Sequence, residues 1–226
     1  MRMVLLWVMM LCAPVFGQSV QENHFDMRVV SAGAVAATTG RGVTILAGDS
    51  LIEGFWWNST SCGALINAGS GGATTEMLHD RINNLEARTL PSVIVISIGV
   101  NDAHEGFDFE AWRARINGIV YSMWIKRVTM VIETIAPIEQ GKPLGDGYFD
   151  NDAILQMNAH LRVLANAYRQ GAVLNDQHPA LADPDGFAPR GMTTDGVHHT
   201  GTTQREVFRL REAAIKAAWL KRGIRC

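Results

Sequence analysis

Short apolar runs alternate along this chain with longer stretches in which apolar residues recur every three or four positions. The apolar runs are 43–47, 64–66, 93–98, 128–135 and 172–174. Runs of this length bounded by glycine, proline or polar residues are typical of buried strands. Because strands and helices alternate, the pattern predicts an α/β fold: a three-layer α/β/α sandwich with a mainly parallel five-stranded sheet.

The intervening stretches have the spacing of helices that bury one face. Helices are predicted over 74–87, over 108–125, in a segment that ends near Gly171, and over 202–221. Within 108–125, for example, Trp112, Ile116 and Ile119 are three or four residues apart. This spacing places them on one helical face, as expected for helices packed on a sheet.

The first residues have the three-part pattern of a signal peptide. A short basic start is followed by the apolar run 4–11 and by a region rich in small residues that ends at Gly17. The run is too short to span a bilayer, and the polar stretch 18–24 disfavours a buried N-terminal strand or helix. We therefore expect residues 1–17 to be removed on export, making the protein secreted or periplasmic. The bulky Leu11 disfavours lipidation at Cys12.

Composition and charge narrow the range of partners. After a leader segment at 18–42, residues 43–226 are expected to form one domain. The chain of 226 residues is 47% hydrophobic and has a formal net charge of -2, so it lacks the broad basic field of a nucleic-acid-binding protein. We expect no nucleic-acid partner and no stable membrane insertion. The oligomeric state is left open.

A serine stands where a nucleophile would be useful. The apolar run 43–47 ends in Gly48-Asp49-Ser50, so Ser50 is predicted at the carboxyl end of a strand, where a helix can begin. A serine hydroxyl attacks carbonyl groups poorly unless a base and an orienting carboxylate assist it. Asp195 and His198, near the C-terminus, are candidates for these two groups.

Two further segments have residues suited to binding an oxyanion. The glycines of the segment 67–72 allow backbone N–H groups to approach a ligand, and Gly72 is a candidate donor. The run 93–98 is followed by Asn101, whose side-chain amide is expected at the same edge of the sheet.

These four segments, in this order, resemble the SGNH hydrolase family, the GDSL-type esterases and lipases. The resemblance implies a flavodoxin-like hydrolase domain over 43–226 and hydrolysis of carboxylic esters through an acyl-enzyme. It implies Ser50 as nucleophile, His198 as general base and Asp195 as its partner. The backbone N–H of Ser50, with Gly72 and Asn101, would form the oxyanion hole. No cofactor is implied, and the substrate could be a short-chain ester, an acetylated sugar, a lysophospholipid or a thioester.

Structural alternatives exist for several of these residues. Ser50 could cap a helix, and Asn101 could form a turn. Trp56 and Trp57 could line an acyl or sugar pocket or belong to the core. Asp49 is expected to have a structural role. A non-catalytic carbohydrate- or cell-wall-binding protein on the same fold is the alternative function.

Histidine and cysteine spacing bears on metals and disulfides. His198 and His199 are adjacent, a poor arrangement for two ligands of one ion, and no metal site is expected. Removal of residues 1–17 would leave Cys62 and Cys226 as the only cysteines. Export allows a disulfide between them, and two unpaired thiols are the alternative.

Overall fold

A computed structural model describes residues 19–40, 42–104 and 106–226 of the chain. The predicted signal peptide and Cys12 lie outside these residues. The helices are α1 (Val20–Thr39), α2 (Ser50–Glu53), α3 (Thr75–Thr89), α4 (Phe109–Ile125), α5 (Asn151–Ala167), α6 (His178–Leu181) and α7 (Gly201–Lys221). The strands are β1 (Thr44–Gly48), β2 (Ser59–Thr60), β3 (Gly63–Asn67), β4 (Val93–Ser97), β5 (Thr129–Glu133) and β6 (Ala172–Asn175).

The strands form one mixed sheet in the order β2-β3-β1-β4-β5-β6. Neighbouring strands from β3 to β6 are parallel, which confirms the predicted α/β class. The sheet has six strands and not five, because the two-residue β2 pairs antiparallel with β3 at one edge. A two-residue strand is too short to leave a periodic signal in the sequence.

Alternating side chains of the central strands build two cores. In β4, Ile94 and Ile96 join the core beneath α1, α3, α4 and α5, whereas Val93 and Val95 join the core beneath α7. Successive strand side chains point to opposite faces of a sheet, and here both faces are covered. This is why the strands are continuous apolar runs without polar alternation.

Helix α1 occupies most of the segment 18–42, for which the hydrophobic pattern predicted no element. Ser19 caps it in a capping box with Glu22, and Phe25 and Val29 are buried. An ion pair of 2.7 Å joins Asp26 of α1 to Arg81 of α3. The leader segment therefore packs on the domain through this helix.

A disulfide links Cys62 to Cys226, with Cα atoms 4.8 Å apart. Of the two alternatives left by the sequence, the structure has the bridged one. Cys62 immediately precedes β3, at the amino end of a parallel strand, so the bond lies at the edge of the sheet opposite to Ser50.

Within the described ranges, no helix combines the length and apolar character needed to cross a membrane.

Candidate active site

Ser50 lies at the carboxyl end of β1, as the sequence predicts. The turn requires glycine at position 48, because a Cβ atom there would lie 2.0 Å from the carbonyl oxygen of Ser97 in β4. Asp49 caps the helix that follows, accepting a 2.9 Å hydrogen bond from the backbone N–H of Leu51. Ser50 is therefore the first residue of α2 and has its own N–H at a helix N-terminus.

A chain of hydrogen bonds joins Ser50, His198 and Asp195. The His198 Nε2 atom is 2.9 Å from Ser50 Oγ, although the two residues are 148 positions apart. On the other side of the ring, His198 Nδ1 is 2.6 Å from Asp195 Oδ2. A carboxylate can only accept, so Nδ1 carries the proton and Nε2 is left to accept from the serine hydroxyl.

Asp195 is held as a carboxylate. Partial burial by itself would raise its pKa, but hydrogen bonds from the His198 N–H and ring and from the Val197 N–H hold the pKa below its usual value. The backbone N–H groups of Val197 and His198 donate to Asp195 Oδ1 at 3.1 and 2.9 Å, which leaves Oδ2 for the histidine ring. The turn 195–198 thus orients the carboxylate as well as supplying it.

Gly72 and Asn101 lie on neighbouring segments at this same edge. The loop 68–74, which we call the oxyanion loop, follows β3 and is fixed to β1 because Ser70 N–H donates to the Gly48 carbonyl oxygen at 3.0 Å. Gly72 adopts a φ of 72°, a conformation that favours glycine. Asn101 Nδ2 donates to the Ala73 carbonyl oxygen at 3.0 Å, a bond that uses one of the two N–H groups of the amide.

Two further carboxyls at this edge have structural contacts. Burial raises the pKa of the Asp49 carboxyl to about 7. Burial also raises the pKa of Asp102, whose carboxyl oxygens accept from the N–H and hydroxyl of Thr75 at the start of α3. Asp102 thereby connects the turn that contains Asn101 to the helix after the oxyanion loop.

Glu139 supports the turn that holds Asp195, a role that sequence reasoning missed. Its oxygens accept from Gly191 N–H at 2.9 Å and from the N–H and hydroxyl of Thr193 at 2.9 and 2.8 Å. Burial alone would raise the pKa of Glu139, but these bonds and Lys142 lower it to about 2. These contacts cannot be predicted from the sequence, because a single glutamate in a loop belongs to no recognisable pattern.

His199 has a different environment from its neighbour. Its Nε2 atom is buried and has no hydrogen-bond partner among the residues that the structure describes. Burial, reinforced by the charge of Arg211, lowers the pKa of His199 to about 4. His199 is therefore neutral at physiological pH, and the chain of hydrogen bonds to Ser50 runs through His198.

The two tryptophans after α2 differ in their surroundings. Trp57 stacks on Phe208 of α7, with ring centroids 4.7 Å apart, and belongs to the packing between α2 and α7. Trp56 is 70% exposed. Its ring lies beside Gly201, because a Cβ atom there would be 3.5 Å from Trp56 Cη2. Trp56 is thus a surface ring close to the segment that contains His198.

Among the residues that the structure describes, no group of three or more histidine, cysteine, aspartate or glutamate side chains is placed to hold a metal ion. The polar residues at the carboxyl edge instead form hydrogen bonds with one another and with the backbone. Beyond the carboxyl ends of parallel strands is where α/β proteins of this class bind their ligands.

Comparison with known proteins then identifies the family. The model of the GDSL-like lipase/acylhydrolase family matches residues 46–205, and the chain belongs to this family. It is therefore an ester-hydrolysing enzyme. A comparison with curated proteins found no match.

Solved structures have the same fold at low identity. A GDSL-like lipase from Bacteroides thetaiotaomicron is 19% identical, with a TM-score of 0.68 over 84% of this chain and 96% of that one. The lipase/acylhydrolase from Enterococcus faecalis is 19% identical, with a TM-score of 0.64 over 78% and 96%. An acetyl xylan esterase is 20% identical, with a TM-score of 0.63 over 76% and 99%.

Proposed function

We propose that this protein is an exported serine esterase that hydrolyses carboxylic esters through an acyl-enzyme. The observation that supports it is the hydrogen-bonded chain from Ser50 Oγ through His198 to Asp195, with distances of 2.9 and 2.6 Å. This is the arrangement that activates a serine hydroxyl: a neutral imidazole accepts its proton, and a carboxylate stabilises the resulting positive charge.

The first half of the proposed reaction forms the acyl-enzyme. Ser50 Oγ attacks the ester carbonyl carbon while its proton moves to His198 Nε2, and the carbonyl oxygen becomes an oxyanion. The N–H groups of Ser50 and Gly72 and the second N–H of the Asn101 amide donate to that oxyanion. When the oxyanion collapses, the bond from carbon to the alcohol oxygen breaks, and the alcohol leaves with the proton from His198.

The second half uses water in the place of the alcohol. His198 takes a proton from water, the hydroxide attacks the acyl carbon, and the same donors stabilise the second oxyanion. Collapse releases the carboxylic acid and returns the proton to Ser50 Oγ. Every proton and electron pair is accounted for by substrate, water and these residues, so the proposed mechanism requires no cofactor.

We propose small neutral esters, including saccharide esters, as substrates. A ring such as Trp56, 70% exposed beside the segment that contains His198, offers a flat apolar face of the kind on which a sugar ring can stack. The structural similarity to an acetyl xylan esterase is compatible with this class and with an extracellular enzyme. Export rests on the signal-peptide pattern of residues 1–17.

The proposal is tested with the exported protein and a panel of p-nitrophenyl esters of increasing chain length plus acetylated xylan. Ser50→Ala removes one oxygen and no core volume, so we expect an unchanged melting temperature and a fall in kcat of at least about 10³-fold. Ser31→Ala, at an exposed position of α1, is the matched control and should leave kcat unchanged.

A serine-directed phosphonate provides an independent measurement. It should label the wild-type protein at Ser50 alone, as located by peptide mass spectrometry. Wild-type turnover by Ser50→Ala would contradict the assignment of the nucleophile. An inactive wild-type protein that binds acetylated saccharide without labelling would instead favour the non-catalytic binding protein.

A further inference from the structure

The carboxylate of Glu53 connects the helix that begins with Ser50 to the oxyanion loop. Glu53 is the last residue of α2, three positions after Ser50. Its Oε2 atom accepts a 2.7 Å hydrogen bond from the backbone N–H of Gly71, the residue before Gly72. Of the two proposed backbone donors of the oxyanion hole, Gly72 N–H therefore follows the N–H that Glu53 binds, and Ser50 N–H begins the short helix that Glu53 ends.

Helix α1 holds this carboxylate from the other side. Glu53 Oε1 is 2.7 Å from His24 Nε2, and the guanidinium of Arg28 lies 3.8 Å from the same oxygen. Both partners are on α1, four residues apart and so on one helical face. The Glu53 side chain is 31% exposed, which makes it accessible enough to rearrange if these partners are lost.

Arg28 also binds the beginning of the oxyanion loop directly. Its Nε donates to the Gly69 carbonyl oxygen at 2.6 Å, and its Nη2 donates to Asn67 Oδ1 at 3.0 Å. Asn67 in turn donates from Nδ2 to the Ile52 carbonyl oxygen in α2 at 2.6 Å. The first half of the loop is thus held by Arg28 and Asn67, and the second half is held by Glu53.

Prior placement of the loop matters because an oxyanion hole works only when its donors are already aimed at the charge that develops. The N–H of Gly72 belongs to an exposed glycine, whose backbone has more conformational freedom than that of any other residue. A hydrogen bond at the preceding N–H removes much of that freedom. Displacing a donor by about 1 Å lowers catalysis up to about 100-fold.

We propose that Glu53 is a positioning residue that sets the distance between the Ser50 and Gly72 donors, and that His24 and Arg28 hold its carboxylate for this purpose. The proposal rests on the esterase mechanism above. It gives two side chains of α1 an indirect role in positioning the donors, although the helix precedes residues 46–205 that match the family.

The test compares Glu53→Ala with Glu53→Gln in the full exported protein, using p-nitrophenyl acetate as substrate and a trifluoromethyl ketone as an inhibitor that forms an oxyanion on serine. For Glu53→Ala we expect kcat to fall about 10- to 100-fold with KM changed by less than about twofold, because only the transition state uses the oxyanion donors. The inhibition constant should rise by the same factor as kcat falls. Glu53→Gln keeps an acceptor for Gly71 N–H and should restore most of kcat.

Asp26→Ala is the matched control, because it removes another contact between α1 and the domain without touching the oxyanion loop. It should leave kcat and the inhibition constant unchanged. Equal losses in Asp26→Ala and Glu53→Ala would show that general docking of α1 is responsible and would overturn the proposal. So would a Glu53→Ala protein with normal kcat and inhibition.

A second variant covers the case in which Glu53→Ala does not fold. Arg28→Lys keeps the charge but cannot reach both the Gly69 and Asn67 acceptors as the planar guanidinium does, and we expect the same parallel change in kcat and inhibition. An unchanged Arg28→Lys protein would count against the proposal. These outcomes are separate from failure of the esterase mechanism, which would appear as absent turnover and absent phosphonate labelling in the wild-type protein.

Discussion

His198 and His199 show how strongly the environment of a residue determines its chemistry. The two side chains are adjacent in sequence, but His198 hydrogen-bonds to Ser50 and Asp195, whereas the buried Nε2 of His199 has no partner in the described part of the chain. For His199, burial first, and then the positive charge of Arg211, lower the pKa to about 4. An imidazole that stays neutral and is not bonded to the hydroxyl has no part in moving the serine proton.

At the residue scale, we therefore predict opposite results for alanine at the two histidines. His198→Ala should lower kcat by at least about 10³-fold, because it removes the proposed base. His199→Ala should have a far smaller effect on kcat. Initial rates of p-nitrophenyl acetate hydrolysis at neutral pH provide the measurement, and equal losses in the two variants would leave the base unassigned.

His199 also predicts how stability depends on pH. Its pKa is about 4 in the folded chain and near the ordinary 6.5 in the unfolded chain, so the unfolded chain binds the proton more tightly. The free energy of unfolding should fall as the pH drops from about 6.5 to about 4. In urea unfolding experiments, the free energy of unfolding of His199→Ala should fall less over this pH range than that of the wild-type protein. The same pH dependence in both proteins would contradict this prediction.

Helix α7 is attached to the sheet by a buried ion pair as well as by its apolar face. Arg211 of α7 binds Glu133 of β5 through two hydrogen bonds of 2.8 and 2.7 Å, with both side chains nearly fully buried. Burial alone would raise the pKa of Glu133, but the guanidinium lowers it below its usual value. The same guanidinium lies 4.3 Å from the centre of the Phe55 ring, so it also contacts the segment after α2.

At the element scale, we predict that removing one charge of this pair is more harmful than removing both. Glu133→Gln leaves the guanidinium of Arg211 buried without its counter-charge and should lower the free energy of unfolding by about 3–5 kcal/mol. Glu133→Leu combined with Arg211→Met should lower it by less. Glu206→Gln, which removes an ion pair on the exposed face of α7, should change it little.

Urea unfolding followed by circular dichroism provides these free energies. A Glu133→Gln protein as stable as the wild-type protein would show that the pair does not hold α7 on the sheet. A double variant less stable than Glu133→Gln would show that loss of the pair itself, and not the unpaired charge, determines the loss of stability.

At the scale of the whole molecule, the disulfide between Cys62 and Cys226 links two distant parts of the chain. The two cysteines are separated by 164 positions, so the bond joins the sheet edge to the last residue of the chain. Linking residues so far apart restricts the unfolded chain much more than the folded one. Because the bond lies at the amino edge of the sheet, it does not contact the site at the carboxyl edge.

At this scale, we predict that Cys62→Ser combined with Cys226→Ser lowers the free energy of unfolding by about 2–5 kcal/mol and leaves kcat unchanged. The melting temperature and the rate of ester hydrolysis are the two measurements. Reduction of the wild-type protein is the control and should reproduce the loss of stability. An unchanged melting temperature in the double variant would contradict the prediction, as would alkylation of both thiols in the unreduced protein.

The sequence by itself determined the α/β class, five of the six strands and the longer helices that follow them. Continuous apolar runs predict strands that are buried on both faces. The run 93–98 is an example: it contains β4, and its side chains are buried on both faces of the sheet. The turn Gly48-Asp49-Ser50 was readable because a strand end, a required glycine and a helix cap are local features. Local spacing is the information that a sequence carries most directly.

Only the tertiary structure decided how these parts meet. Ser50 and His198 are 148 positions apart, and their contact depends on the strand order. Helix α1 escaped prediction because much of its buried face consists of alanine and glycine, which give a weak apolar signal. The contacts of Glu53 and Glu139 could not be predicted from the sequence, because the role of a single carboxylate depends on which N–H groups the fold brings to it.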